Sequence, residues 1–431
     1  MFRLAACAAA VCILALGQTE DSFSANQRIL RIRELGKKDA RAIPALAQYL
    51  SDADRDIRVE AVKAIVKIGT EASLGPLATA LHDNDAEVQI RATDGITNFY
   101  VPGYVAKGGL TGPLTRGVRQ VKGFFSSRNA QVIDPDVTIR GDVAQALAEE
   151  VRGGAGSDSR ANAARATGIL RDEGAVPALG ESLHARDSQL IFESLVALEK
   201  IHDPAACENL SSPAHDLDER IQATALEAIG VLRCLMRAPD VRSDLTNART
   251  MRIRRAALEA LAMLGIPGDR PVFQQYAADQ DAELRAAALE GLGRIREPED
   301  MPAIAQAYDE KDADWRVHLA AAFALVDEGK VDTSEFSPLA YLVESLDVKA
   351  RADVATTYLR ELVRRDEIRQ ALFPLVPQAT KDQKIALCAI FADSQSNDVV
   401  PTLNTLAKDI DPDVAFAASR ALRIAQAHKT S

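Results

Sequence analysis

A helical stripe that returns every 31 or 32 residues constrains this chain more than any other feature. In "DQDAELRAAALEGLGRI", residues 279–295, the apolar marks are Leu284, Ala288, Leu292 and Ile295. Offsets of 0, 4, 8 and 11 trace one face of an α-helix. Upstream the stripe recurs as Ile253, Ala257, Leu261, Leu264, as Ile221, Ala225, Ile229, Leu232 and as Leu190, Ser194, Leu198, Ile201. Nearer the start it is Val88, Ala92, Ile96, Phe99 and Ile57, Ala61, Ile65, Ile68. Downstream it is Trp315, Leu319, Phe323, Val326 and then Val414, Ala418, Leu422.

An aspartate stands three residues ahead of most stripes: Asp54, Asp85, Asp187, Asp218, Asp281, Asp312 and Asp411. That is where a carboxylate caps the unpaired N–H groups of a first helical turn and faces the positive end of the helix dipole. A row of catalytic acids is the rival explanation, and capping accounts for the register better. A second helix precedes each stripe, opened by Pro44, Pro76, Pro177, Pro302 or Pro401, because proline fits a first turn whose N–H is unpaired anyway. The unit is helix, short Asp-rich turn, helix. One such pair cannot bury its apolar faces alone, whereas a stack of them can.

The Pro-opened first helix, the pattern D-x-x-Φ-R-x-x-A (Φ apolar) opening the second, and the short period resemble HEAT repeats. The bacterial HEAT-like, phycobilin-lyase-type variety is the most similar. The resemblance runs from about residue 28 to 426 and implies about eleven units in a right-handed, all-α solenoid. It implies a binding scaffold more strongly than an activity, since a few enzymes share the repeat. Units near residues 351 and 383 are the least regular.

Composition fits thin helical layers: apolar residues make up 47% and aromatics 5%, so alanine and leucine fill the core. The net charge of −11 argues against nucleic acid as a partner. Residues 1–17 read as a signal peptide. Arg3 is followed by an apolar run from Leu4 to Leu16, too short for the ~20 residues that span a bilayer. An uncleaved anchor and a lipoprotein are the alternatives. Export to the periplasm or cell envelope follows, with secretion a variant. Beyond the signal, Cys207, Cys234 and Cys388 are expected as free buried thiols. A Cys207–Cys234 bridge is the alternative that export would allow.

The repeat breaks at residues 101–136, between the repeats of 25–100 and those of 137–431. From Val101 to Ile133 the chain carries Lys107, Arg116, Arg119, Lys122 and Arg128 and no acid. Subtracting Arg3 and these five cations turns −11 into −17 for the remainder. Leu110, Leu114, Val118, Val121 and Phe125 have helical spacing. One reading is an extra helix docked on the acidic body. A second is a docking element for an anionic partner, carried by Lys107, Arg116, Arg119, Lys122, Phe124, Phe125 and Arg128. A third is attachment to an anionic membrane surface.

Motifs for chemistry are missing. "GGLTGP" lacks the phosphate-loop form, and none of His82, His184, His202, His215, His318 and His428 has metal-ligand spacing. No catalytic, cofactor-binding or metal-binding residue is assigned and no cofactor is expected. His82 and His184 read as surface turn residues, Trp315 as core. The leading expectation is an exported, non-enzymatic scaffold for a protein or peptide partner. The cap carboxylates and the −17 background favour a partner with a basic surface. Alternatives are a HEAT-like lyase or oxidoreductase-type enzyme or subunit, and an envelope structural protein held at the membrane surface.

Overall fold

The computed structural model describes residues 24–104 and 132–427, and every regular element among them is helical. The helices divide into two compact units. Residues 24–104 and 139–182 form the first, residues 132–138 and 183–427 the second.

The first unit holds α1 (Ala25–Leu35), α2 (Ile43–Ala47), α3 (Arg55–Ile68), α4 (Glu71–Ala80), α5 (Ala86–Tyr100), α6 (Gly141–Gly153), α7 (Ser157–Ile169) and α8 (Val176–Ser182). The second opens with α9 (Ser188–Ile201), α10 (Ser211–Ala214), α11 (Glu219–Val231), α12 (Ala238–Thr246), α13 (Met251–Leu264), α14 (Arg270–Tyr276) and α15 (Ala282–Ile295). It continues with α16 (Met301–Asp309), α17 (Trp315–Glu328), α18 (Pro338–Glu344), α19 (Ala352–Leu362), α20 (Asp366–Leu372), α21 (Lys381–Ala392), α22 (Val400–Leu406) and α23 (Pro412–Ala427). Within each unit the longer, stripe-bearing helices stack on their successors: α3 on α5 on α7, and α9 on α11 through to α17. The fold is an all-α solenoid of helix pairs.

The stripes are the core. Ile57, Ala92, Leu190, Ile229, Leu261 and Leu292 are all buried. Close approach between layers needs missing side chains. A Cβ on Gly293 would lie 2.3 Å from Ala324 Cβ, which places α15 hard against α17.

The aspartate caps form as the register requires at Asp54, Asp85, Asp187, Asp218, Asp281 and Asp411. Asp281 Oδ1, for example, accepts the N–H groups of Glu283 and Leu284 at 3.1 Å each. Many belong to an Asp-x-Asp turn in which the first carboxylate takes the second residue's N–H. Asp52 receives Asp54 at 2.9 Å, Asp83 receives Asp85 at 2.8 Å and Asp279 receives Asp281 at 2.8 Å.

Asp312 is an exception. The cap of α17 is Asp314, whose carboxylate accepts the Arg316 N–H at 2.9 Å. α16 has nine residues where α14 has seven, so the cap falls 33 residues after Asp281 and the register slips by two. Trp315 becomes the first helical residue, half-buried against the core, with the Arg316 guanidinium 4.5 Å from its ring. Pro76 also departs from expectation: it lies inside α4, because the helix already starts at Glu71 after Thr70. Pro44, Pro177, Pro302 and Pro401 do sit in first turns. His82 and His184 are exposed turn residues.

Cysteine pairing corrects the expectation of three free thiols. Cys207 and Cys234 form a disulfide with Cα atoms 5.4 Å apart, while Cys388 is buried and free. Cys207 lies in the 3-10 turn before α10 and Cys234 in the turn before α12. Their separation of 27 residues is close to one repeat period, so equivalent turns of adjacent layers meet. Arg237 reinforces the junction by donating to the Cys207 and Glu208 carbonyls at 2.9 Å each. Burial pushes the Cys388 thiol up to about 12, so it is inert as a nucleophile at neutral pH.

Chain-entropy reasoning for a bridge closing so short a loop gives a loss of about 3–4 kcal/mol on reduction. Chemical denaturation with and without reductant should show that loss. Alkylation of the denatured, unreduced protein should modify Cys388 and spare Cys207 and Cys234.

Candidate interaction surface

The seven residues singled out in the basic insert, Lys107, Arg116, Arg119, Lys122, Phe124, Phe125 and Arg128, lie outside the described residues, as does the signal segment 1–17. Both flanks of the insert are described. α5 ends at Tyr100, and the chain leaves through Val101–Tyr104, where the Gly103 N–H donates to Asn98 Oδ1 at 3.2 Å. It returns at Arg140, whose backbone N–H donates to Tyr100 Oη at 3.1 Å. The Arg140 guanidinium grips Asp142 at 2.6 Å and reaches the Glu71 carbonyl at 3.4 Å. The two sides of the interruption therefore meet at one point of the first unit. Beside that point lies a small cavity of about 200 Å³, lined by Val66, Leu74, Leu77, Asn98, Phe99 and Pro102 among others.

In the second unit, residues 132–138 lie against the last helix. Asp134 pairs with Arg420, and Arg423 reaches Asp134 at 3.7 Å and Asp136 at 3.6 Å. Ile133 is buried.

Charge along the turns is largely consumed internally. Arg28 pairs with Asp52 at 2.6 Å, Arg58 with Asp83 at 2.7 Å, Arg285 with Glu310 at 2.5 Å and Lys384 with Asp409 at 2.9 Å. Each joins a stripe-bearing helix, or α1, to the turn of the next layer. Cap carboxylates join in: Asp85 also accepts Arg55 at 2.9 Å, Asp411 accepts Lys381 at 3.0 Å, and Asp281 pairs with Arg255. Burial alone would raise the Asp281 carboxyl. Arg255 and the Leu284 and Glu283 N–H groups hold it below the usual range. At these three layers the cap carboxylates already accept backbone N–H groups and a cation of the preceding layer.

Two buried polar clusters were not anticipated. In the first unit, Thr93 Oγ1 donates to Glu150 Oε2 at 2.7 Å, and Asn162 Nδ2 donates to Asp94 Oδ1 at 3.0 Å. The other oxygen of Glu150 has no partner, and burial with help from Asp94 pushes its carboxyl up to about 8. In the second unit, Glu227, Glu259 and Glu290 occupy the same register on α11, α13 and α15. Burial and the charges of Glu227, Glu283 and Glu290 push Glu259 well above the usual range. α19 covers this face. Tyr358 Oη donates to Glu290 Oε2 at 2.7 Å while its ring stacks on Phe323 with centroids 4.5 Å apart. Arg294 bridges Glu290 at 2.9 Å and Glu361 at 2.5 Å, and Arg233 meets Glu361 at 2.6 Å. The register was visible in the sequence as an acid six residues into each of these three stripes. Burial was not, because it depends on α19 folding back over that face.

No group of three or more His, Cys, Asp or Glu side chains among the described residues is placed to hold a metal ion. No described helix is long and apolar enough to cross a membrane.

Glu150 makes a sign-definite prediction. Its carboxyl binds a proton more tightly in the folded chain than in the unfolded one. That contribution is present in full below the ordinary value near 4.5 and is lost as pH rises to about 8. Glu150→Gln keeps an acceptor for Thr93 and removes the titration. Urea unfolding should find it more stable than the parent by roughly 1–3 kcal/mol above about pH 8 and nearly equal near about pH 5.

Comparison with known proteins follows from this architecture. A family profile for HEAT repeats matches residues 13–97, 238–326 and 270–362. A search of curated proteins found no match. Among solved structures, an engineered protein is 16% identical, with 89% of this chain and 98% of that one covered and a TM-score of 0.34. Human deoxyhypusine hydroxylase in complex with glycerol is 18% identical over 59% of this chain and 97% of its own, TM-score 0.29. The complex of CpcE and CpcF of phycocyanin lyase from Nostoc sp. PCC7120 is 19% identical over 74% and 94%, TM-score 0.31. The matched segments, the paired helices and the aspartate caps that open many of the second helices agree: this chain belongs to the HEAT-repeat family.

Proposed function

We propose that this protein is an exported, non-enzymatic scaffold that binds a protein or peptide partner, with the basic insert of residues 101–136 as its docking element. The observation that carries this reading is where the insert stands. It interrupts an otherwise regular stack between α5 and α6, and the stack closes behind it through Tyr100 and Arg140. An addition whose flanks stay joined, Arg140 N–H to Tyr100 Oη, leaves α5 and α6 in one unit. Stacked helix pairs provide area for large partners, which is how HEAT repeats generally serve.

Charge supports an acidic or otherwise anionic partner at the insert. Five cations without an acid stand on a chain whose net charge is −11. The Cys207–Cys234 bridge supports export, since disulfides persist in oxidising compartments. The periplasm or cell envelope is the proposed location.

Reversing charge with Arg116→Glu, Arg119→Glu and Lys122→Glu tests the docking role. Proximity labelling in the native cell should recover the principal partner about tenfold less well with the variant. The docking role expects a thermal midpoint within about 2 °C of the parent. Unchanged partner recovery would reduce the insert to a structural element.

A further inference from the structure

We propose that the outer face of the last helix, α23, docks an acidic segment of a protein partner, one with an apolar side chain just ahead of two carboxylates. Residues 132–138 of this chain, which belong to the same unit, sit there as an internal stand-in. The face carries Phe416, Arg420 and Arg423, which fall on one side of the helix at successive turns. It is made of residues other than the five cations of the basic insert.

Three observations single it out. The first is exposure. Phe416 stands five residues after the Asp411 cap. The same place in three other layers holds Val59, Ile90 and Phe192, all buried. α23 has no successor among the described helices, and Phe416 is 70% exposed. Ile410, in the turn before it, is fully exposed. The second is what sits on the face. Arg420 Nε donates to both Asp134 oxygens, at 2.7 and 2.9 Å, and Nη2 donates there too. Ile133, next in the chain, is buried. The arginines have little competition for that acid. Asp413, the one acid of α23, is taken by Lys381 at 2.5 Å, and Asp393 after α21 is held by Arg360 at 2.9 Å. The third is incompleteness. Arg423 comes no nearer than 3.7 Å to Asp134 and 3.6 Å to Asp136, beyond hydrogen-bonding distance, and the Phe416 ring stays uncovered.

The planar guanidinium fork selects carboxylates, and an exposed ring one turn away gives an apolar side chain something to cover. A segment ordered Φ-D-x-D (Φ apolar), as in Ile133-Asp134-Pro135-Asp136, therefore matches the face. The stand-in engages one arginine closely and leaves the other, with Phe416, for a longer partner segment. A rival account exists: the end layer of a solenoid needs a polar cover, and residues 132–138 supply it permanently. That account requires no partner and gives Phe416 no part.

Fluorescence anisotropy with a labelled synthetic peptide, VIDPDVTI (residues 132–139), separates the two. The peptide is titrated with the full chain carrying Asp134→Asn and Asp136→Asn, which loosens the internal segment. The expected result is saturable binding with a Kd below about 1 mM. Binding to the parent should be at least about fivefold weaker, because its own tethered segment competes. Adding Arg420→Glu and Arg423→Glu should abolish binding, and adding Phe416→Ala should weaken it about threefold. A peptide with Asn at both acidic positions should bind about tenfold less tightly. Arg420, Arg423 and Phe416 are all at least half-exposed, so the variants should fold, which circular dichroism checks. Absence of saturable binding, or binding that Arg420→Glu/Arg423→Glu leaves unchanged, overturns the docking site and makes residues 132–138 a fixed end cover. A dimer of the parent in sedimentation velocity that Arg420→Glu/Arg423→Glu dissolves assigns the face to a second copy of this chain and also overturns it.

Discussion

The stack depends on a carboxylate that serves two layers at once. Asp281 ends the search for partners by the first N–H groups of α15 and also receives Arg255 from α13, the layer before. Asp85 does the same for α5 and Arg55 of α3. A cap fixes where its helix starts, and an ion pair to the previous helix fixes how far the next layer slides. Neither bond is worth much alone, because a half-exposed pair gains little over water. Their value lies in geometry. At Asp85, Asp281 and Asp411 they set a common register for stripes whose alanines and leucines would otherwise pack in several ways. Apolar contact between layers then supplies most of the stability.

That same register explains the buried acids. A residue six positions into the stripe lies across the helix from it. Glu227, Glu259 and Glu290 therefore align on three successive helices. In an open layer they would be solvated. Here α19 brings Tyr358 and Glu361 over them, and Arg294 and Arg233 supply the opposing charge. Removing one partner from such a network leaves an uncompensated charge, whereas replacing all of it with apolar residues is often neutral. The cluster thus specifies where α19 lies more than it stabilises the fold. The slip at α17 fits this logic: Phe323 replaces the acid at the same place and meets the Tyr358 ring.

Most of the fold was legible because its signal is local and repeated. A stripe, a cap and a proline each announce one helix, and eight quoted copies of the stripe outvoted any single irregularity. Legibility failed where two residues competed or where contacts joined distant layers. Asp312 and Asp314 both offer a cap, and a fixed 31-residue step selects the wrong one. Pro76 looks like a helix opener until Thr70 and Glu71 are seen to start α4 earlier. Cys207 and Cys234 were judged by rules for compact disulfide frameworks. Their spacing of nearly one period was the better guide, since in a solenoid one period separates spatial neighbours. Glu150 gave no hint at all, because its burial comes from α5 and α7 closing around α6.

Net charge is a poor guide to partners in such a protein. The −11 total includes turn carboxylates, such as Asp83 and Glu310, that are already satisfied by backbone N–H groups or by arginines of adjacent layers. A bound carboxylate contributes to the distant field, but its lone pairs are not available to a ligand. What a partner meets is the residue of unpaired groups. In the first repeat that residue is positive, with Lys37, Lys38 and Lys67 around one depression. Local unpaired charge therefore runs opposite to the bulk charge there. At about 0.15 M salt, fields are screened beyond about 8 Å, so local unpaired groups decide recognition while net charge mainly sets solubility.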